Sequence, residues 1–268
     1  MIGTESLRLF RTMARNRSLL WSLAIYELRG RYAATLAGSV WAVVNPLVLI
    51  GVFWFITSYG LKITFDDGPP YFLMVFCGII PWLAFSEALG GGTNAVLGHG
   101  YLVKKIAFPL EILPLVPIAS TVIIHAVLVA FLLFIMTVNG LPPRLPFIQI
   151  IYFSFAMLVF AAALSLSLSA INVFQRDTAH VVGAILTIWF WVTPIIWPVS
   201  NLPAWAYNIL RLNPMFYIVE GYRGVLLFDQ PFWFQWPLDA WFWGITLVLL
   251  FVGSIVFRRL KPHFGDVI

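Results

Sequence analysis

The stretch Ile112–Val138 reads ILPLVPIASTVIIHAVLVAFLLFIMTV. It holds no Asp, Glu, Lys or Arg, and its one histidine, His125, lies near the middle. About 20 mostly apolar residues in a helix cross ~30 Å of hydrocarbon, so this stretch predicts a membrane span. The same reading predicts spans at Gly38–Tyr59, Tyr71–Gly91, Phe147–Val173, Val181–Val199 and Leu238–Phe257. Composition agrees. Of 268 residues, 61% are apolar and 10% charged, against roughly 25% charged in soluble domains. That leaves too little polar surface for a water-soluble globule, and excludes a soluble enzyme or a disordered chain. The expected fold is all-α and integral to the membrane, with six transmembrane helices.

Basic residues orient these spans. Arg8, Arg11, Arg15, Arg17, Arg29 and Arg31 precede the first span. No apolar core ahead of a small-residue cleavage site accompanies them, so no secretory signal is expected and the start should stay in the cytoplasm. With six spans, Lys104, Lys105, Arg176, Arg258, Arg259 and Lys261 fall on the same side. Lys62, Arg144, Arg211 and Arg223 fall opposite, Lys62 beside Asp66 and Asp67. This asymmetry predicts a multi-pass protein with both termini cytoplasmic.

Two stretches are not simple spans. Residues 5–15 place Arg8, Arg11 and Arg15 on one helical face beside Leu7, Phe10 and Ala14, the pattern of a helix in the headgroup layer. Ser18–Thr35, interrupted by Glu27, Arg29 and Arg31, reads as a second interfacial segment. Between spans five and six, Ser200–Pro237 contains two helical pieces, Pro203–Leu212 and Met215–Phe228. Irregular backbone at membrane depth survives only inside protein or around a wet cavity, so short re-entrant or interfacial helices on the outer side are expected. The chain divides into an interface region 1–37, a transmembrane domain 38–257 and a tail 258–268.

Catalytic and metal motifs are absent. There is no Gly-x-x-x-x-Gly-Lys-Ser/Thr loop for nucleotide phosphates, no His-Glu-x-x-His and no Cys-x-x-Cys. His99, His125, His180 and His263 are scattered, and Cys77 sits in an apolar run as a small packing residue. No metal or cofactor is expected in this chain. Gly90-Gly91-Gly92 is expected to break the second helix. Glu87 is either functional or paired with an arginine, Arg31 being the candidate, and His125 is either functional or bonded to a neighbouring helix. Ala161, Ser165 and Ser169 recur four apart, which favours close helix packing.

Of the many aromatics, Trp41, Trp197, Trp205, Trp233, Trp236 and Trp241 suit interfacial belts. Trp54, Trp82, Trp189, Phe190 and Trp191 lie inside apolar runs, where they face lipid or line a path for sugar rings. Helical spacing places Trp189 with Thr193, and Phe190 with Trp197, on shared faces.

An ordered set of segments is recognisable. Arg29-Gly-Arg-Tyr32, Leu36-Ala-Gly-Ser-Val-Trp41 and Asn45-Pro-Leu47 enter the first span. Gly78-Ile-Ile-Pro-Trp82, Asn94, Leu102-Val-Lys-Lys-Ile-Ala-Phe-Pro109 and Glu111-Ile-Leu-Pro114 follow. Then come Asn172-Val-Phe-Gln-Arg-Asp177, Thr193-Pro194, Pro203-Ala-Trp205, Leu212-Asn-Pro-Met215, Tyr222-Arg223 and Phe264-Gly-Asp-Val-Ile268. The chain resembles, over nearly its whole length, the permease subunit of type-2 ABC exporters of O-antigen, capsule and teichoic acid. It departs at Leu110, where many members carry a basic residue.

The resemblance implies a homodimer in the bacterial inner membrane. Two separate ATPase subunits, carrying ATP and Mg, would dock beneath it. An undecaprenyl-pyrophosphate-linked glycan would pass between the protomers, with membrane lipid around them and no nucleic acid involved. It also implies a coupling loop of Leu102, Lys104, Lys105, Ile106, Phe108 and Glu111 against the ATPase. Arg176 and Asp177 either join that interface or cap the helices beside them. Spans one and five are the implied walls of the path, with Phe53, Trp54, Trp189 and Phe190 the candidate aromatics. The other class left open is an integral-membrane glycan-modifying enzyme. Its acids and bases would come from Glu220, Arg223, Asp229 and Asp239, which would have to converge.

Overall fold

The computed structural model describes residues 15–31, 33–61, 69–104, 108–199, 202–231 and 237–268. The amphipathic helix expected over residues 5–15 lies outside them except for Arg15. No strand occurs among the described residues. The cause is general: backbone in hydrocarbon must bond to itself, and a helix does so within one segment.

The longer helices run in order as α1 (Arg17–Arg31), α2 (Trp41–Phe55), α3 (Tyr71–Gly98), α4 (Gly100–Val103), α5 (Val116–Val138) and α6 (Ile150–Phe174). They continue as α7 (Asp177–Val192), α8 (Ala204–Leu210), α9 (Pro214–Leu227), α10 (Leu238–Leu260) and α11 (Phe264–Val267). Five stretches among the described residues are long and apolar enough to cross a membrane: Gly38–Gly60, Tyr71–Gly98, Leu110–Val138, Leu145–Phe174 and Leu238–Val267.

Helix α3 is the central post. Its buried residues point in every direction, from Leu73 and Phe76 through Trp82 and Phe85 to Val96, and it packs on α5, α6, α7 and α9. The expected break at Gly90-Gly91-Gly92 does not occur; the helix runs on to Gly98. The glycines serve close approach instead. A Cβ on Gly91 would lie 2.7 Å from Pro117 Cβ, and one on Gly92 would strike the Ser165 side chain. Ser165 belongs to the small-residue row on α6, so the two helices meet where both are small.

The predicted span Val181–Val199 also needs correction. Helix α7 starts earlier, at Asp177, and stops at Val192. Thr193 is extended (φ −77°, ψ 129°), because the residue before a proline is disfavoured in helical geometry and Pro194 has no N–H to donate. Trp197 therefore lies beyond the helix and shares no helical face with Phe190. Its 16 residues extend ~24 Å.

Helix α1 packs Leu20, Leu23 and Ala24 against Val116 and Ala119 at the start of α5. The expected helical pieces after α7 appear as α8 and α9. All of α9 except Glu220 and Leu227 is buried, packed on α3 and α6. The tail is folded too: Phe264 is fully buried in a cluster with Leu102, Leu110, Leu113, Val173 and Phe257.

Candidate functional site

Three groups of polar or aromatic side chains stand out against this apolar frame. The first ties the end of α1 to α3. Arg31 donates from Nη2 to Glu27 Oε1 at 2.6 Å and from Nη1 to Glu87 Oε1. Burial works against the Arg31 charge, but the two carboxylates outweigh it and hold the guanidinium above the ordinary arginine value. Glu87 is thus paired with Arg31. A cavity of about 630 Å³ opens beside the triad, lined by Tyr26, Arg31, Glu87, Asn94, His99 and Pro117 among others.

The implied coupling loop lies at the same end. Lys104 is exposed, Phe108 is half-buried, and Lys105 and Ile106 fall outside the described residues. Leu102, only 7% exposed, turns into the apolar cluster beneath the loop, so it supports this surface from below. Glu111 accepts from Lys261 Nζ at 2.6 Å, tying the loop to the end of α10. Arg176 and Asp177 are exposed at the α6–α7 turn. Asp177 is the acidic residue in the first turn of α7, and Asn172 Oδ1 accepts from Ala179 N at 3.2 Å at the same helix end. Asn172 Nδ2 also donates to Thr93 O at 3.1 Å. Sequence reading missed this role, although Asn172 opens the recognisable Asn172–Asp177 segment.

The second group is aromatic. Phe53 of α2 meets Phe190 of α7 at 6.3 Å between ring centroids, and Phe190 meets Trp82 at 5.7 Å. Trp82 and Phe85 both approach Trp189, and Phe85 stacks on Phe160. Three of the four candidate path residues therefore interlock with the core. Trp189 also donates from Nε1 to Asn213 Oδ1 at 2.7 Å. Trp54 stands apart. It is 41% exposed, packs edge-on to Tyr59 and lines a groove of about 440 Å³ with Leu47, Gly51, Phe72, Phe131 and Ile135.

The third group lies at the opposite end of the helices. Arg223, 4% exposed, donates to Met74 O at 3.1 Å, Ile195 O at 2.8 Å and Glu220 Oε1 at 2.8 Å. It binds two backbone carbonyls that the surrounding protein shuts off from water. Asp229 pairs with Arg144, and Asp239 accepts from Tyr217. The acids proposed for an enzyme are thus held by different partners and do not converge on one reacting centre. Among the described residues no cluster of His, Cys, Asp and Glu could hold a metal. His125 Nε2 lies 2.9 Å from the Tyr222 hydroxyl and 3.2 Å from Ser154 Oγ, so it does bond across helices.

What these features define is an all-helical membrane protein with long apolar helices and no convergent catalytic set among its described residues. The chain belongs to the ABC-2 type transporter family, whose model matches residues 18–227. It is similar to the O-antigen export system permease protein RfbA of Myxococcus xanthus, 29% identical over 266 residues, covering 97% of this chain and 99% of that one. A Klebsiella pneumoniae O-antigen export system permease protein RfbA is 23% identical, over 90% and 92% of the two chains. The polysialic acid transport protein KpsM of Escherichia coli is 21% identical, over 88% and 91%.

Proposed function

We propose that this chain is the transmembrane permease subunit of an ATP-driven exporter that moves a lipid-linked polysaccharide across the bacterial inner membrane. The observation that carries the reading is the end-to-end match to an O-antigen export permease on a helical frame. Both termini lie on the cytoplasmic side. Helix α7 is a short sixth crossing, and α8 and α9 re-enter from the outer side.

The subunit works as a homodimer above two ATPase subunits. Only Ala42 and Ile50 of α2, and only Val182 of α7, are buried in one protomer. These apolar faces are left for lipid, for a second copy and for the passing glycan. Trp54 offers an open aromatic face on that side, with Phe53, Phe190 and Trp189 forming the wall behind it. Lys104, Lys105, Ile106, Phe108 and Glu111 receive the ATPase, assisted by Arg176 and Asp177.

The test is loss of the chain in cells that display the glycan. Surface glycan should vanish and lipid-linked glycan accumulate inside, with the same result when the partner ATPase is disabled. Unchanged surface glycan in the deletion strain, or ATP hydrolysis by this polypeptide alone, overturns the reading. The enzyme alternative predicts altered glycan structure with export intact.

A further inference from the structure

A cavity of about 300 Å³ lies between α8, α9 and the start of α10, lined by Tyr207, Arg211, Phe216, Glu220, Gln230 and Leu238 among others. It sits at the end of the helices remote from Arg31. The Arg211 guanidinium lies over the Tyr207 ring, 5.8 Å from its centroid, and Tyr207 is 37% exposed. Neither the Arg211 guanidinium nor the Gln230 side-chain amide has a hydrogen-bond partner among the described residues. Glu220 bonds Arg223 through Oε1, which leaves its second oxygen. Three different elements thus bring an aromatic ring, a guanidinium, a planar amide and a carboxylate to one small recess.

We infer that this recess is a binding subsite for a sugar residue of the exported glycan on the outer side, an inference that rests on the permease reading above. The lining matches what a pyranose presents. Gln offers both donor and acceptor, Arg offers donors and Glu acceptors, so hydroxyls of either polarity find partners. Tyr207 supplies surface for the apolar face of the ring. The volume is at the small end of the roughly 300–1,000 Å³ of ligand pockets, which suits one sugar unit and excludes a folded chain. Charge argues against a phosphate. The Glu220 carboxylate shares the recess with Arg211, so an anion gains one cation and meets one like charge. The recess is separate from the Phe53–Phe190–Trp82 aromatic wall, so it holds glycan after the membrane has been crossed.

The experiment uses the complete exporter in cells that display the glycan, with a photoreactive phenylalanine analogue in place of Gln230. Light during active export should attach glycan to this chain, detected as a carbohydrate-positive shift in its mass. The same analogue in place of Trp205, exposed on α8, should give little product. Adding Arg211→Ala or Tyr207→Ala should cut the yield by about fivefold, the loss expected for one such contact, while Tyr207→Phe retains most of it. Export without attachment at position 230, or attachment unaffected by Arg211→Ala and Tyr207→Ala, overturns the subsite and leaves the permease reading standing. A product carrying lipid phosphate and no sugar overturns it as well. Display of glycan in cells lacking the whole chain is the separate result that removes the permease reading.

Discussion

Trp189 Nε1 donates to Asn213 Oδ1 at 2.7 Å, joining α7 to the residue that starts α9. The same Asn213 oxygen accepts from Met215 N at 3.0 Å, and its Nδ2 donates to Thr193 Oγ1 at 2.8 Å. One amide therefore caps α9, holds the extended residue before Pro194 and anchors an indole. This knot is one of the anchors of α9, beside the Arg223 bonds to Met74 O and Ile195 O.

Asn213→Ala should lower stability by about 1–3 kcal/mol, since it removes a helix cap and leaves the part-buried Trp189 N–H without its partner. Trp189→Phe keeps an aromatic ring and should cost about 1 kcal/mol. Thermal unfolding of detergent-purified protein measures both. Trp189→Leu should lower melting temperature and export together, whereas Trp54→Leu should leave the melting temperature unchanged. An export defect in Trp54→Leu at normal stability would place the glycan against that ring.

Gly92→Ala should destabilise the protein by roughly 1–3 kcal/mol, the usual range for overpacking, because its Cβ collides with Ser165. Ser165 Oγ is buried without a hydrogen-bond partner among the described residues. Ser165→Gly should therefore be tolerated, and the pair Gly92→Ala with Ser165→Gly should recover most of the loss. A double-mutant cycle on unfolding reads this coupling; strict additivity would contradict the packing.

Arg31→Glu should release α1 from α3, and adding Glu87→Arg should restore the contact. Trypsin cleavage at Arg29 reports it: faster in the single variant, near normal in the double. The pH dependence follows from the Arg31 value, which is raised in the folded protein. A raised value contributes stability below the unfolded arginine value and loses it only as pH climbs through the folded one. Raising the pH from neutral to 9 should therefore leave cleavage unchanged.

Lys104→Glu with Lys105→Glu should weaken co-purification of the ATPase or uncouple hydrolysis from export, with the permease still assembled. Normal docking and export would return these lysines to setting topology alone. Glu111→Gln removes the charge from the link to Lys261 and should give a milder coupling defect.

Cysteine labelling checks the crossings. Cys77 is fully buried, so the native protein should be almost silent to maleimides and serve as its own background. Cysteine at Lys104 should react only once reagent enters the cell, and cysteine at Asp229 should react from outside. External reaction at position 104 would refute the six-crossing arrangement.

Much of this was legible from residues alone, because bilayer length and charge placement constrain helices strongly. Glu87 with Arg31 and His125 with a neighbouring helix follow from the cost of isolated ionisable groups in lipid. What escaped was whatever depends on a partner helix. Gly90–Gly92 looks like a helix breaker when α3 is read alone and becomes a contact surface once Pro117 and Ser165 are opposite. The bond from Trp189 to Asn213, 24 residues later, cannot be read from the sequence of α7 alone. The acids of the far end look like a candidate catalytic group, yet each is bound to a different partner.

The brevity of α7 bears on the bilayer itself. A helix whose apolar length falls short of the hydrocarbon thickness forces adjacent lipids to thin or its flanking residues to stretch outward, at fractions of a kcal/mol per Å. On the proposal that α7 is the sixth crossing, acyl chains along its exposed side would tilt or splay to meet a helix that ends at Val192. On the same proposal, a glycan passing beside that helix would have a thinner greasy layer to be shielded from. The proline that cuts the helix short would then also set how much membrane such an exporter has to breach.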